Sequence, residues 1–330
     1  MNILITGGAG FIGFHLTKYL LKNRSDIHIV SIDNLNDYYD TQLKINRVEE
    51  LKSFDQDRLT FKRADINDRV EIQNLFEKYS FTYVINLAAQ AGVRYAAQNP
   101  DSYVKSNIDG FYVLISEASK HNVTKFIYAS SSSVYGANTS MPFEEIDKVG
   151  TPMSLYAASK LADESIASAY FYTHKIQTVG LRFFNVYGPW GRPDMAYYKW
   201  TSALLAGEDI ELRNNGEMWR DMTYVEDVVK VIDKLMNDKV YSSPEVFNVG
   251  NQEPVKISDL LNYISTNLGV LPTVNNQPKG EEEPVKTWAS TEKLSKDISF
   301  VPQTDFIYGL EKFLDWYKDY HKLDELEIKI

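Results

Sequence analysis

Thr6-Gly7-Gly8-Ala9-Gly10-Phe11-Ile12-Gly13 decides how the first half of the chain folds. Ahead of it stands Ile3-Leu4-Ile5, a short apolar run of buried-strand character, and behind it Phe14 to Leu21 carries helical spacing. The glycines read both as Gly8-x-Gly10-x-x-Gly13 and as Gly7-x-x-Gly10-x-x-Gly13. Without side chains the backbone can turn tightly and approach a pyrophosphate, whose charge the helix N-terminus stabilises. The bland alternative is a flexible glycine loop after a strand.

Outward from this turn, β-rich runs alternate with helical patterns. Further strands are expected at 28–32, 59–61, 83–86, 125–129 and 178–181, with helices at Val70–Tyr79, Val104–His121 and Leu155–His174. Such alternation implies right-handed crossovers and an α/β doubly wound parallel sheet. After Arg182 the rhythm breaks at Gly188-Pro189-Trp190-Gly191-Arg192-Pro193. Val246-Phe247-Asn248-Val249 reads as a strand returning to the main sheet. The expected division is a dinucleotide-binding domain of residues 1–182 plus about 223–250, and a smaller, discontinuous C-terminal lobe of about 183–222 plus 251–330 that binds substrate. Asn275 to Pro284, with three successive glutamates, is expected to be a surface loop.

Asp33 ends the second strand, twenty residues beyond Gly13, with Asn34 beside it. A carboxylate there accepts both adenosine ribose hydroxyls and repels a 2′-phosphate, and no arginine adjoins it in sequence, which favours NAD over NADP. Asp65, followed by Ile66, is placed to cap the adenine side. The alternative for Asp65 is a solvated turn aspartate in Asp65-Ile66-Asn67-Asp68.

Tyr156 and Lys160, four apart, share one helix face. A free phenol titrates near 10, so a tyrosine base near neutral pH needs its ionised form stabilised by about 4 kcal/mol. The Lys160 ammonium and a positive nicotinamide ring are groups able to supply that. Ser131, at the end of the fifth strand, can hydrogen-bond and orient the same substrate hydroxyl. With 22 tyrosines in the chain, spacing alone means little, and Tyr308/Lys312 repeats it. Only Tyr156 follows a strand ending in Ser130-Ser131-Ser132-Ser133-Val134-Tyr135-Gly136, so Tyr308/Lys312 is expected to be surface structure.

Bulk composition narrows the class further. At 330 residues, 44% of them hydrophobic, the chain suits one large α/β unit with an appended lobe. It has no cysteine, so disulfides, thiol catalysis and thiolate metal ligands are excluded, in keeping with a reducing cytoplasm, and no metal site is expected. A net charge of -10 argues against general nucleic-acid binding. No apolar run is long enough for a membrane span, and the start lacks a basic leader, so a cytoplasmic location is expected.

The glycine turn, Asp33, the Leu87-Ala88-Ala89 strand end, the serine-rich strand end and Tyr-x-x-x-Lys together resemble the extended short-chain dehydrogenase/reductase family, over essentially the whole chain. Within it, residues 88–94, 130–136 and 181–195 look like UDP-glucuronate 4-epimerases. The resemblance implies a Rossmann fold, NAD as cofactor, a UDP-sugar substrate and redox epimerisation at the sugar C4. It also implies a homodimer through the helices at Val104–His121 and Leu155–His174, whose Ile108, Phe111, Tyr112, Leu161 and Ile166 can equally be intrachain core.

For substrate contacts, Asn185 matches the family position at the nucleotide diphosphate and Arg220 its pyrophosphate arginine; a salt bridge to Asp221 or Glu217 is the alternative for Arg220. Arg192 follows the Pro-Trp-Gly loop at the junction of the lobes, where a C6 carboxylate needs a cation, and Ser132, Ser133 and Thr151 can add donors. The alternative is a loop arginine bonding backbone carbonyls. Arg94 is a second candidate cation that can instead brace its loop. Pro278–Lys286 and Ser290 depart from the Pro-Gly-Asp-Val and Ala-Asp pattern of many relatives, so no site residue is assigned there.

Other readings compete. A 4,6-dehydratase usually carries Asp-Glu where this chain has Ser132-Ser133, and a UDP-glucuronate decarboxylase carries a glutamate at the second of those positions. UDP-glucose or UDP-N-acetylglucosamine 4-epimerases are the nearest rivals. A non-catalytic, NAD-sensing protein on the same fold typically loses the Tyr or the Lys, and both are present.

Overall fold

Parallel strands buried on both faces dominate the structure, a computed structural model that describes residues 1–138, 140–237, 239–280 and 283–323. In chain order the strands are β1 (Asn2–Thr6), β2 (His28–Asp33), β3 (Leu59–Arg63), β4 (Phe81–Asn86), β5 (Lys125–Ser131) and β6 (Thr178–Phe183). Then follow β7 (Asn185–Tyr187), β8 (Ile210–Arg213), β9 (Trp219–Tyr224), β10 (Glu245–Val249), β11 (Pro254–Lys256), β12 (Val274–Gln277) and β13 (Lys286–Thr287). Seven of them form one all-parallel sheet in the order β10-β6-β5-β4-β1-β2-β3. The chain leaves β1 for β2 on one side and lays β4 on the other, so a crevice opens at their carboxyl ends, where ligands bind in such sheets.

Alternation along each strand feeds two cores. Ile3, Ile5, Ile29, Ile127, Leu181 and Phe247 pack with the helices Phe11–Asn23 and Val225–Met236. Leu4, Val30, Val84 and Phe126 pack with Leu75, Phe76, Phe111 and Leu114 on the opposite face. β6 is buried at every residue, as expected of a central parallel strand.

The lobe has its own core of Tyr187, Tyr197, Trp200, Leu212, Met222, Leu261, Ile264 and Phe313. There β9 pairs with β7, β11 and β13, and β12 pairs with β8. Three details differ from the sequence reading. Val274–Gln277 is a strand in the stretch expected as a loop; its residues are largely exposed, so pairing with β8 and not an apolar pattern makes it. The helix Glu292–Ile298 packs on the main sheet, because Leu294 and Ile298, four apart, cover the β10 edge. Thr223 and Tyr224, expected in the larger domain, complete β9 in the lobe. Of the expected glutamate loop, Glu281 and Glu282 lie outside the described residues, as do residues 324–330 of the expected lobe.

Leu155–His174 is helical throughout, started by Ser154 Oγ accepting from Ala157 N and ended by Lys175 in the left-handed region. The expected 104–121 helix is π-helical over Val104–Asp109 and α-helical over Gly110–Lys120. Among the described residues, no helix is long and apolar enough to cross a membrane.

Candidate active site

The glycine turn closes on itself through Gly10 N donating to Gly7 O at 2.9 Å. Gly7 has φ +68°, and a Cβ on it would lie 2.8 Å from Ala88 N; a Cβ on Gly13 would lie 2.2 Å from Gly7 O. Both positions therefore require glycine. The helix Phe11–Asn23 begins at Gly10 with no side-chain cap, so its first-turn N–H groups are left for another acceptor.

Asp33 sits beside this turn and accepts from Ala9 N at 3.1 Å and from Leu35 N at 2.8 Å. Burial pushes its carboxyl above the usual range. Asn34 donates to Asp65 at 3.3 Å, and Asp65 also accepts from Asn67 N at 3.0 Å, so this aspartate is at once a turn residue and a wall of the crevice. Leu87 N and Ala88 N bond to Thr6, which ties the β4 end to the glycine turn.

Sequence reasoning missed Arg47. Fully buried, it donates to Ala9 O at 2.8 Å, to Trp190 O at 2.6 Å and to Gly191 O at 3.1 Å, bolting the glycine turn to the loop between the lobes. Its place between Leu43 and Leu51, four residues from each, was the available signal that it faces inward. Lys44, also buried, binds Asn36 and adds positive charge near Asp33, which no sequence neighbour suggested.

On the other side stand Tyr156 and Lys160. Tyr156 packs edge-on against Tyr103, with ring centroids 6.1 Å apart. The Lys160 ammonium donates to Ala129 O at 2.9 Å and to Asp163 at 3.0 Å. Ser131 Oγ accepts from the backbone N–H of Ser133 at 3.2 Å and from its hydroxyl at 3.0 Å. Behind them, buried polar groups lock the strand end and the helix together. Glu164 takes two bonds from Arg182 and one from Ser130, and Arg182 also donates to Tyr135, which donates to Asn248. Asn107, in the π-helical turn, holds Gln90 and donates to Ser159 at 2.9 Å.

Arg192 lines the cavity and does not brace its loop through backbone carbonyls. It makes a two-pronged ion pair with Asp194, at 2.9 and 2.5 Å, and Tyr38 donates to the same carboxylate at 3.2 Å. Arg94 pairs with Glu283. Arg220 forms no ion pair with Asp221 or Glu217; it donates to Trp219 O and Val285 O, while Asp221 is taken up by the N–H groups of Asn251, Gln252 and Ala289.

The residues singled out from sequence as cofactor, catalytic or substrate contacts, Asn185, Ser132 and Ser133 included, line one cavity of about 1410 Å³, with the exception of Thr151, which is exposed outside it. That exceeds the roughly 300–1,000 Å³ of a pocket for one small ligand and suits two ligands side by side. Tyr308 and Lys312 lie outside it, with Tyr308 half exposed.

The profile of the NAD dependent epimerase/dehydratase family matches residues 3–250. The chain belongs to that family. Protein CapI of Staphylococcus aureus is 41% identical over 98% of this chain and its own full length. UDP-glucuronate 4-epimerase 4 of Arabidopsis thaliana is 42% identical over 98% of this chain and 77% of its own length. The crystal structure of UDP-glucuronic acid 4-epimerase from Bacillus cereus, in complex with UDP-glucuronic acid and NAD, superposes with a TM-score of 0.90 at 33% identity, over 97% of this chain and all of that one.

Proposed function

We propose that this family member is a nucleotide-sugar 4-epimerase that interconverts UDP-glucuronate and UDP-galacturonate. The observation that carries the reading is the meeting, in one cavity, of the glycine turn, the Tyr156/Lys160 helix face, the serine-rich end of β5 and the Arg192 loop. Relatives named for this reaction support it over nearly the whole chain.

The residues suit NAD. Gly7, Gly10 and Gly13, with the uncapped first turn at Phe11 and Ile12, suit the pyrophosphate, and Asp33 and Asn34 the adenosine ribose. Asp65, Ile66 and Leu87–Ala89 line the rest. When bound, NAD supplies the acceptor for the C4 hydride of the sugar and the donor that returns it.

Tyr156 takes the proton of the C4 hydroxyl, Ser131 holds that hydroxyl, and the Lys160 ammonium stabilises the phenolate. The 4-keto sugar then turns within the cavity, presents its other face, and recovers its proton from Tyr156. Asn185 and Arg220 hold the diphosphate. Arg192, Ser132 and Ser133 receive the C6 carboxylate, with Arg94 as a second cation at the rim. Serines at 132 and 133 leave water elimination without its acid and base, which favours epimerisation over dehydration.

The helix faces carrying the exposed Val104, Tyr112 and Tyr172 are the surfaces through which a homodimer would form. The test of function is incubation with UDP-glucuronate, UDP-glucose and UDP-N-acetylglucosamine, with each product sugar identified by NMR. UDP-galacturonate formation at the highest kcat/KM is expected; preference for either neutral sugar would sink the uronate assignment.

A further inference from the structure

Asp163 is a carboxylate that the epimerisation described above does not use. It is wholly shielded from solvent and lies on the catalytic helix, three residues beyond Lys160 and seven beyond Tyr156, so all three share one face. Buried aspartates are rare unless paired, and a pair of purely structural use satisfies both oxygens. Glu164, next in sequence, is of that kind: Arg182 and Ser130 together bond both its oxygens. Asp163 is different. One oxygen accepts from the Lys160 ammonium at 3.0 Å and the other has no hydrogen-bond partner. Lys160 spends a second N–H on Ala129 O, which leaves one of its three for the cavity.

We propose that Asp163 is a positioning residue for the epimerisation: its carboxylate grips the Lys160 ammonium and sets how much of that positive charge reaches the Tyr156 phenol. The proposal rests on the roles assigned to Tyr156 and Lys160 above. A bare ammonium beside the phenol favours phenolate, whereas an ammonium backed by a carboxylate presents only a dipole.

The neighbours leave Asp163 as the variable charge. From its own helix it faces Lys160 and Glu164, and from β5 Tyr128, while Arg182 of β6 pairs with Glu164. Glu164 and Arg182 neutralise each other, and burial holds Tyr128 protonated far above its ordinary range. The 104–109 turn contributes the uncharged Asn107, and the Pro100–Tyr103 segment contributes Tyr103 against Tyr156. Burial pushes the Asp163 carboxyl up to about 7, against the pull of Lys160. With the Asp163 carboxyl protonated the pair carries a net positive charge, and with it ionised the pair is neutral. Ionisation of Asp163 thus withdraws positive charge from beside the Tyr156 phenol, and the two ionisations are coupled through Lys160.

The test is the pH profile of kcat for the full-length, NAD-loaded enzyme on whichever UDP-sugar it turns over. Mutual opposition makes the wild-type acid limb shallower than a one-proton titration. Asp163→Asn restores unit slope and moves the limb to lower pH by roughly one unit, with KM little changed. Should the amide not fold or not retain NAD, Asp163→Ser serves in its place, and the wild-type slope is decisive without any variant. A wild-type limb of unit slope, or a variant limb that coincides with the wild type, overturns the proposal. If no UDP-sugar is turned over at all, the functional reading falls and this proposal with it; turnover with an unmoved limb removes Asp163 alone.

Discussion

Replacing Arg192 with methionine keeps an unbranched chain of similar reach and removes the guanidinium that pairs with Asp194. A uronate then loses twice. A charge-assisted hydrogen bond to its C6 carboxylate contributes about 1.5–3 kcal/mol. The second loss is the counter-ion of Asp194. Burial pushes that carboxyl up, and Arg192 more than reverses the effect, holding it below the usual carboxylate range. Without Arg192, two carboxylates about 6 Å apart repel by roughly 3 kcal/mol at an effective dielectric of about 20. Because the Arg192 and Asp194 side chains are 25% and 23% exposed, solvent screening cuts this to about half. A combined loss of about 3–4.5 kcal/mol lowers kcat/KM on UDP-glucuronate roughly 100- to 2,000-fold. UDP-glucose, uncharged at C6, escapes both effects. The assay is kcat/KM for the two sugars on wild type and Arg192→Met, with bound NAD quantified in each. An unchanged ratio between the sugars would refute the assignment of Arg192 to the carboxylate.

Three further outcomes are expected. Gly13→Ala drives a Cβ to 2.2 Å from Gly7 O, so it costs about 1–3 kcal/mol of stability and loses NAD; wild-type NAD affinity by fluorescence titration would contradict the tight-turn argument. Tyr156→Phe lowers kcat roughly 100- to 10,000-fold while NAD and UDP-sugar still bind, and undiminished turnover would remove Tyr156 as the base. His15 lies against the rings of Phe11 and Phe14 and bonds Pro189 O at 2.8 Å, and burial lowers its imidazole to about 4. Its folded value lies below the free value, so its contribution is present above about pH 6.5 and is lost as pH falls toward 4. His15→Gln accordingly loses less melting temperature between pH 7 and pH 4.5 than wild type does; parallel losses would exclude the histidine.

Much of the fold was legible because parallel strands buried on both faces leave short apolar runs, as at Ile3–Ile5. The Leu155–His174 helix matches its expected span, with Ser154 of a residue type that caps helices, whereas its stop at Lys175 in the left-handed region is visible only in the structure. β12 was not, because its Val-Asn-Asn-Gln side chains face solvent and only backbone pairing defines it. In the site, glycines and a strand-end aspartate announce themselves by local pattern. Arg47, Asn107, Asp163 and the Glu164–Arg182 pair do not. Arg47, Asn107 and the Glu164–Arg182 pair take partners from elsewhere in the chain, as Trp190 for Arg47, whose spacing from Leu43 and Leu51 was the one local hint. Asp163 has its partner Lys160 only three residues away, but its burial depends on the fold. The partner of Arg192 was only two residues away, but the choice of Asp194 over a backbone carbonyl depends on how the loop turns.

The central claim is that the C4 hydrogen leaves the sugar as hydride and returns to the same carbon on the opposite face. UDP-glucuronate carrying deuterium at C4 tests this most directly, with the product examined by NMR and mass spectrometry. The expected product is UDP-galacturonate that retains deuterium at C4, without loss of carbon dioxide. Deuterium washed out to solvent, a decarboxylated pentose product, or no product beside turnover of a neutral UDP-sugar would contradict it.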